Sequence, residues 1–302
     1  MTVSLYTMAV ILGVATGFGT RIRLLQCDYR QYPTYPHGHV IHLALGFIAA
    51  ALGAVAVPAL AQKDYTAVTF LTLAAQQFRD VRNMERQMLS NLDEMELVPR
   101  GKNYIEGIAM VFEGRNYIVI FAAFLTSLSV MLYHYWWVGA ITGVLTILLS
   151  GFLMSGKVIH DIADVEVAEL RNEGPSLYVD DIYLMNIGLE DNRKRILENG
   201  IGIVITPRQA SARITIGNVG QRQAILHDVS SILGVYRDTG EPALVPLAKR
   251  DLKDGRLGVL LLPQEKDVER AMAIVKNVPV LESAIRKPGK MPHELDKRWG
   301  NA

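Results

Sequence analysis

Cysteine, charge and recognisable catalytic motifs are all scarce in this 302-residue chain. Cys27 is its single cysteine, which excludes an intramolecular disulfide and a cysteine-rich metal centre. Charged residues make up only 20% of the chain, below the roughly 25% usual for a soluble protein, and this excludes a wholly soluble or disordered one. The net charge of +1, with no basic stripe, argues against a nucleic-acid partner. No basic residue precedes the first apolar run and no clear small-residue cleavage site precedes Arg21, so that run reads as an anchor rather than a removable signal. No nucleophile motif, Walker loop or dinucleotide fingerprint occurs, so no catalytic residue, resident metal or cofactor is expected.

Apolar residues are what the chain has in excess, at 50%. Only 10 of the 31 basic and 9 of the 30 acidic residues fall within 1–156, so this half is the expected membrane domain. A spanning helix needs about 20 mostly apolar residues. Runs at 3–20, 40–61, 117–137 and 138–154 meet or approach that, the last two as a hairpin turning at Trp136-Trp137. A fifth run at 65–78 is short, but counting it puts the basic segments on one side, as the positive-inside rule asks. The expectation is about five spans, with the N-terminus outside and the C-terminal domain cytoplasmic. Gly13-x-x-x-Gly17 and Gly139-x-x-x-Gly143 supply close-packing faces, and no acidic or basic residue falls at mid-depth in any run. His37, His39 and His42 cluster where the second run enters the membrane, chiefly in an interfacial role.

Between the third and fourth runs, residues 79–98 read as an amphipathic helix whose apolar face is Val81, Met84, Met88, Leu92 and Met95. Arg79, Arg82 and Arg86 form a basic stripe suited to lipid headgroups, or are paired locally, as Arg82 with Glu85. After Pro99-Arg100-Gly101 a second helix is expected, capped by Asn103 with Glu106 reaching back, so that 79–116 holds two helices. Glu113 is expected to pair with an arginine. Tyr104-Ile105-Glu106-Gly107-Ile108-Ala109 spells YIEGIA, and with the flanks 77–86 and 97–101 the chain resembles the YIEGIA family of membrane proteins of endospore-forming Firmicutes. The resemblance covers nearly the whole chain. It implies a cytoplasmic, forespore or spore membrane, a small soluble capping-complex-type partner and a homo- or hetero-oligomer, with no enzymatic activity. The motif residues Tyr104, Ile105, Glu106, Gly107, Ile108 and Ala109, with Glu113, are the expected partner-binding positions.

Residues 157–174 have no glycine or proline until Gly174-Pro175 and are expected as a helical stalk, in which His160 and Asp164 make only a weak metal signal. From 175 to 285 strands alternate with helices: strands at 178–187, 201–206, 213–216, 235–237, 243–247 and 257–262, helices at 190–198, 221–233 and 265–276. That pattern predicts an α/β or α+β domain with a mixed sheet, a ferredoxin-like arrangement being the first choice. Gly217, Gly220 and Arg222 lie at a strand-to-helix turn that could hold an anion, though such a turn needs no ligand to explain it. His227 and Asp228 read as ordinary polar residues, and 286–302 as a flexible basic tail. The expected function is a non-enzymatic membrane subunit of a sporulation-associated complex that binds its partner on the cytoplasmic face. The alternative is an oligomeric channel or solute pathway gated by the soluble domain.

Overall fold

A computed structural model describes residues 4–29, 36–78, 80–154, 156–236 and 245–285. Arg79, the tail 286–302 and, of the two strands expected at 235–237 and 243–247, residues 237, 243 and 244 lie outside the described residues; the described 235–236 and 245–246 are not in a strand. The chain divides into two units, residues 1–87 with 108–155, and residues 88–107 with 156–302.

The first unit is helical: α1 (Leu5–Asp28), α2 (Pro36–Ala61), α3 (Tyr65–Phe78), the start of α4 (Val81–Asp93), most of α5 (Lys102–Tyr133) and α6 (Trp136–Ser150). Three helices, Leu5–Asp28, Gly38–Ala61 and Lys102–Tyr133, are long and apolar enough to cross a membrane. At 14 and 15 residues, α3 and α6 extend roughly 21 and 22 Å, short of a core of about 30 Å. Small residues set the packing. Added Cβ atoms on Gly13 and Gly17 would stand 2.7 Å from the Cβ atoms of Ala54 and Ala50, and Gly53 has no room for one against the Ile120 carbonyl. Such close approach is what holds helices together where lipid is as apolar as the side chains. The Ser127 hydroxyl donates to the Ala54 carbonyl at 2.8 Å, whereas Thr126, Thr142 and Ser150 donate to carbonyls of their own helix or its preceding turn.

Two expectations are corrected in this stretch. The helix expected after Gly101 and the span at 117–137 are one continuous α5 of 32 residues, roughly 48 Å long. It starts at Lys102, so Asn103 lies inside it rather than capping it. The hairpin turns at His134 (φ 62°) and Tyr135, so Trp136 and Trp137 open α6 and are exposed.

The second unit carries the β-structure. Strands β1 (Ala163–Ala168), β5 (Ile201–Pro207), β7 (Leu257–Leu261) and β6 (Leu247–Arg250) form a sheet in that spatial order, and β2 (Leu170–Glu173), β3 (Ser176–Val179) and β4 (Ile182–Asn186) form a second. Among the described residues every pairing is antiparallel, in place of the expected mixed sheet. Leu177, Val179, Ile182 and Leu184 of the small sheet pack with Val204 and Leu260 of the large one. Gly258 is the point of close approach: a Cβ there would lie 3.2 Å from Ile182. β5 and β7 are buried on both faces, which explains their unbroken apolar sequences. Helices α8 (Glu190–Asn199), α9 (Ala210–Gly217), α10 (Val219–Leu233) and α11 (Val268–Asn277) complete the unit.

The helical stalk expected at 157–174 is instead the four-residue helix α7 (Ile159–Ile162) followed by β1 and β2. Ala163 and Val165 are buried while Asp164 and Glu166 are exposed, the period-two alternation of a strand. Gly174 (φ 60°) and Pro175 make the turn between β2 and β3 rather than ending a helix. The strand expected at 213–216 is helical, because Ala212, Thr215 and Ile216 bury at helical spacing despite their β-branched neighbours.

Candidate functional site

The apolar run of α1 ends at Thr20, but the helix continues to Asp28, which puts Arg21 and Asp28 two turns apart on one face. Arg21 is wholly buried; its Nη1 donates to Asp28 at 3.1 Å, and Arg115 Nε on α5 donates to the other carboxylate oxygen at 3.2 Å. The stem of Arg21 crosses α2 where Gly46 leaves room for it, and its guanidinium stacks on the Phe112 ring at 4.5 Å. One turn before Gly46, His42 is also wholly buried; its ring lies 4.6 Å from Phe112 and its Nε2 is 3.8 Å from Glu85 of α4. Tyr29 stacks on His42 and meets the His39 ring at a tilt of 55°. Asn116 follows Arg115, fully buried.

These residues form a buried polar network in the first unit, in which Arg21 and Arg115 share Asp28 and His42 faces Glu85. It is not fully satisfied. Among the described residues, Arg21 Nε and Nη2 and both amide atoms of Asn116 are buried without a hydrogen-bond partner. Buried polar groups nearly always find a partner in protein or water, which singles these four atoms out within the network. Ionisable groups in membrane helices are functional candidates by default. The sequence reading missed this site because Arg21 and Arg115 stand outside the apolar runs as drawn. The available signal was an Arg-Asn pair seven residues after Ile108-Ala109, directly ahead of the apolar run that starts at Tyr117.

The residues predicted from sequence fall elsewhere. Tyr104, Ile105, Gly107, Ile108 and Ala109 are all buried, and only Glu106 of the motif is half-exposed. In the second unit the motif packs on α10: the Tyr104 amide donates to Gln223 at 3.1 Å, the Gly107 backbone abuts Ser283, and the His227 ring bonds the Val98 carbonyl at 2.7 Å. Upstream, Asp93 accepts from the backbone amides of Arg100 and Gly101, closing the loop before α5. Burial raises the Asp228 carboxyl to about 7 despite Arg100, while burial, ahead of the Val98 bond, holds the His227 pKa below its ordinary value.

Glu113 pairs with Arg82 at 3.5 Å, as expected of a pairing with an arginine, and Glu85 faces His42. Of the basic stripe, Arg86 donates to Asn83. On α4, Val81 and Leu89 are buried but Met84 is exposed, so the apolar face is rotated from the expected one; the helix ends at Asp93, and Met95 lies beyond it, exposed. Gly217 and Gly220 lie at a junction between α9 and α10, not at a strand end, and Gly220 abuts the Asn103 carbonyl. No cluster that could hold a metal ion occurs among the described residues.

Comparison with known proteins sets this geometry in context: a family model described as "YIEGIA protein" matches residues 9–291. The chain belongs to the YIEGIA family. It is 55% identical over 295 residues to a Bacillus subtilis (strain 168) protein named "Uncharacterized protein YphB", covering 98% of this chain and 99% of that protein. No solved structure matches it. In this YIEGIA protein the hexapeptide is packing material for the start of α5, and the buried charges of α1, α2, α4 and α5 lie outside it.

Proposed function

We propose that this YIEGIA protein is a non-enzymatic, multi-pass subunit of a sporulation-associated complex in the bacterial cytoplasmic, forespore or spore membrane, presenting its antiparallel domain to a small soluble partner. The observation behind this reading is that one unbroken helix, α5, carries both the motif's contacts with α10 and a run apolar enough to cross a membrane. The domain is therefore membrane-anchored through the motif itself. Within the motif, partner contact falls to Glu106, the side chain that is not buried. α3 and α6 complete five spans, with the N-terminus outside and the C-terminal domain in the cytoplasm. Their exposed Tyr65, Phe70, Leu73, Ile141, Leu145 and Leu149 need lipid around them. β5, β6 and β7 form a split β-α-β unit, and β1 fills the fourth place, as in a ferredoxin-like sheet whose last strand has moved to the front.

A gentle-detergent pull-down from sporulating cells tests this reading. A stoichiometric small partner lost in Glu106→Ala supports it; recovery of the protein's own oligomer alone overturns it. A second reading, a solute pathway gated by the soluble domain, is favoured by the unpartnered polar atoms of Arg21 and Asn116. Ion flux in liposomes, abolished by Asn116→Leu, would support that alternative.

A further inference from the structure

Two arginines of the second unit, Arg222 of α10 and Arg250 of β6, lie beside the same stretch of β6, and no ion pair joins either to a carboxylate among the described residues. Arg222, the fourth residue of α10, extends Nη1 to the Ala248 carbonyl of β6 at 3.5 Å. Arg250 lies two residues further along β6, on the same face, and its guanidinium crosses the α9–α10 junction: a Cβ added to Gly217 would stand 2.9 Å from Nη1 and 3.2 Å from Cζ. Among the described residues neither side chain meets a carboxylate. The Nε of each is buried without a hydrogen-bond partner, although both residues are only half-buried and so open to solvent. Arg208 and Arg256 of the same unit differ, being matched to Asp164 and to Asp180 and Asp181. Burial and the neighbouring Arg250 both lower the Arg222 pKa, as expected when like charges are held together.

The amides at the start of α10 are not the attraction, since Asn218 already accepts from Gln221 and Arg222. The two guanidiniums are. We propose that Arg222 and Arg250, over Gly217, bind a phosphate-type dianion, carried either by a soluble phosphate ester or by a lipid headgroup. A dianion neutralises both charges and accepts from both planar forks, whereas a carboxylate leaves one guanidinium uncompensated, and a metal cation is repelled. Glycine at 217 leaves the space that the Arg250 guanidinium occupies.

The test is titration of the full chain, in phosphatidylcholine nanodiscs, with inorganic phosphate by isothermal calorimetry. Wild-type protein is expected to bind phosphate, and Arg222→Gln and Arg250→Gln each to weaken binding roughly tenfold or more. Gly217→Ala, which displaces Arg250 without altering charge, is expected to weaken it too, and Arg208→Gln to leave it unchanged. Matching circular dichroism melts separate loss of binding from loss of fold. Competition by phosphatidic acid in the discs assigns the site to a headgroup, and indifference to it assigns a soluble ester. Absence of binding through the millimolar range, or binding that survives both arginine substitutions, overturns the proposal.

Discussion

Removing the carboxylate of Asp28 is the sharpest perturbation available. Its two oxygens accept from Arg21 at 3.1 Å and Arg115 at 3.2 Å, and the three side chains are 7%, 0% and 3% exposed. Breaking a buried pair from one side costs about 3–5 kcal/mol, because the remaining charge is stranded. Asp28→Asn removes the acceptor that both arginines share, so a loss within that range is expected. Arg21→Met is a different case: Asp28 keeps Arg115, and the unpartnered Nε and Nη2 disappear with the side chain. The cost then reduces to one hydrogen bond and the stacking on Phe112, about 1–2 kcal/mol. The double variant should lose less than the sum of the singles. Unfolding of the full chain in mixed micelles by titration with sodium dodecyl sulfate, followed by circular dichroism, measures all three. If Asp28→Asn loses under about 1 kcal/mol, or Arg21→Met costs as much, the network is not the buried ion pair described.

Other consequences can be checked with the same unfolding assay. Gly53→Ala drives a methyl group into the Ile120 backbone and should cost about 1–3 kcal/mol, whereas Gly114→Ala, with nothing within 4 Å, should stabilise α5 by about 0.5–1 kcal/mol; equal effects would refute the helix contact. Gln221, wholly buried, donates to the Pro279 carbonyl at 3.0 Å and accepts from the Leu281 amide at 2.7 Å, so Gln221→Leu should cost about 2–3 kcal/mol and expose the Leu281 amide to hydrogen exchange. Asp228 has its pKa raised to about 7 from 3.8, so the folded state keeps a proton that the unfolded chain releases. Its contribution to stability is therefore full below about pH 4 and lost as pH rises to about 7, at no more than about 1.4 kcal/mol per pH unit. His227, with its pKa lowered, acts in the opposite sense, losing stability as pH falls below its ordinary value near 6.5. Asp228→Asn should remove the first slope and be the more stable protein at pH 8; identical wild-type and variant pH curves would contradict the assignment.

The division of this chain into an apolar first half and a charged second half was legible in its composition, because burial in lipid and burial in a soluble core demand different residues. The long apolar helices, the glycine pairs that let them approach and the fully buried strand β7 all follow from local pattern. So does the family, through a hexapeptide and its flanks. What local pattern did not settle was decided by partners distant in sequence. β1 became a strand because β5 offered it an antiparallel edge, and 213–216 became helix because Ala212 and Ile216 had a core to enter. The motif's role as packing required α10, more than a hundred residues away. Arg21, Asp28 and Arg115 form a network only because α1 and α5 place them together, as α10 and β6 do for Arg222 and Arg250. A charge in sequence has no assigned partner until the backbone brings one within hydrogen-bonding distance, and that distance is a property of the tertiary structure alone.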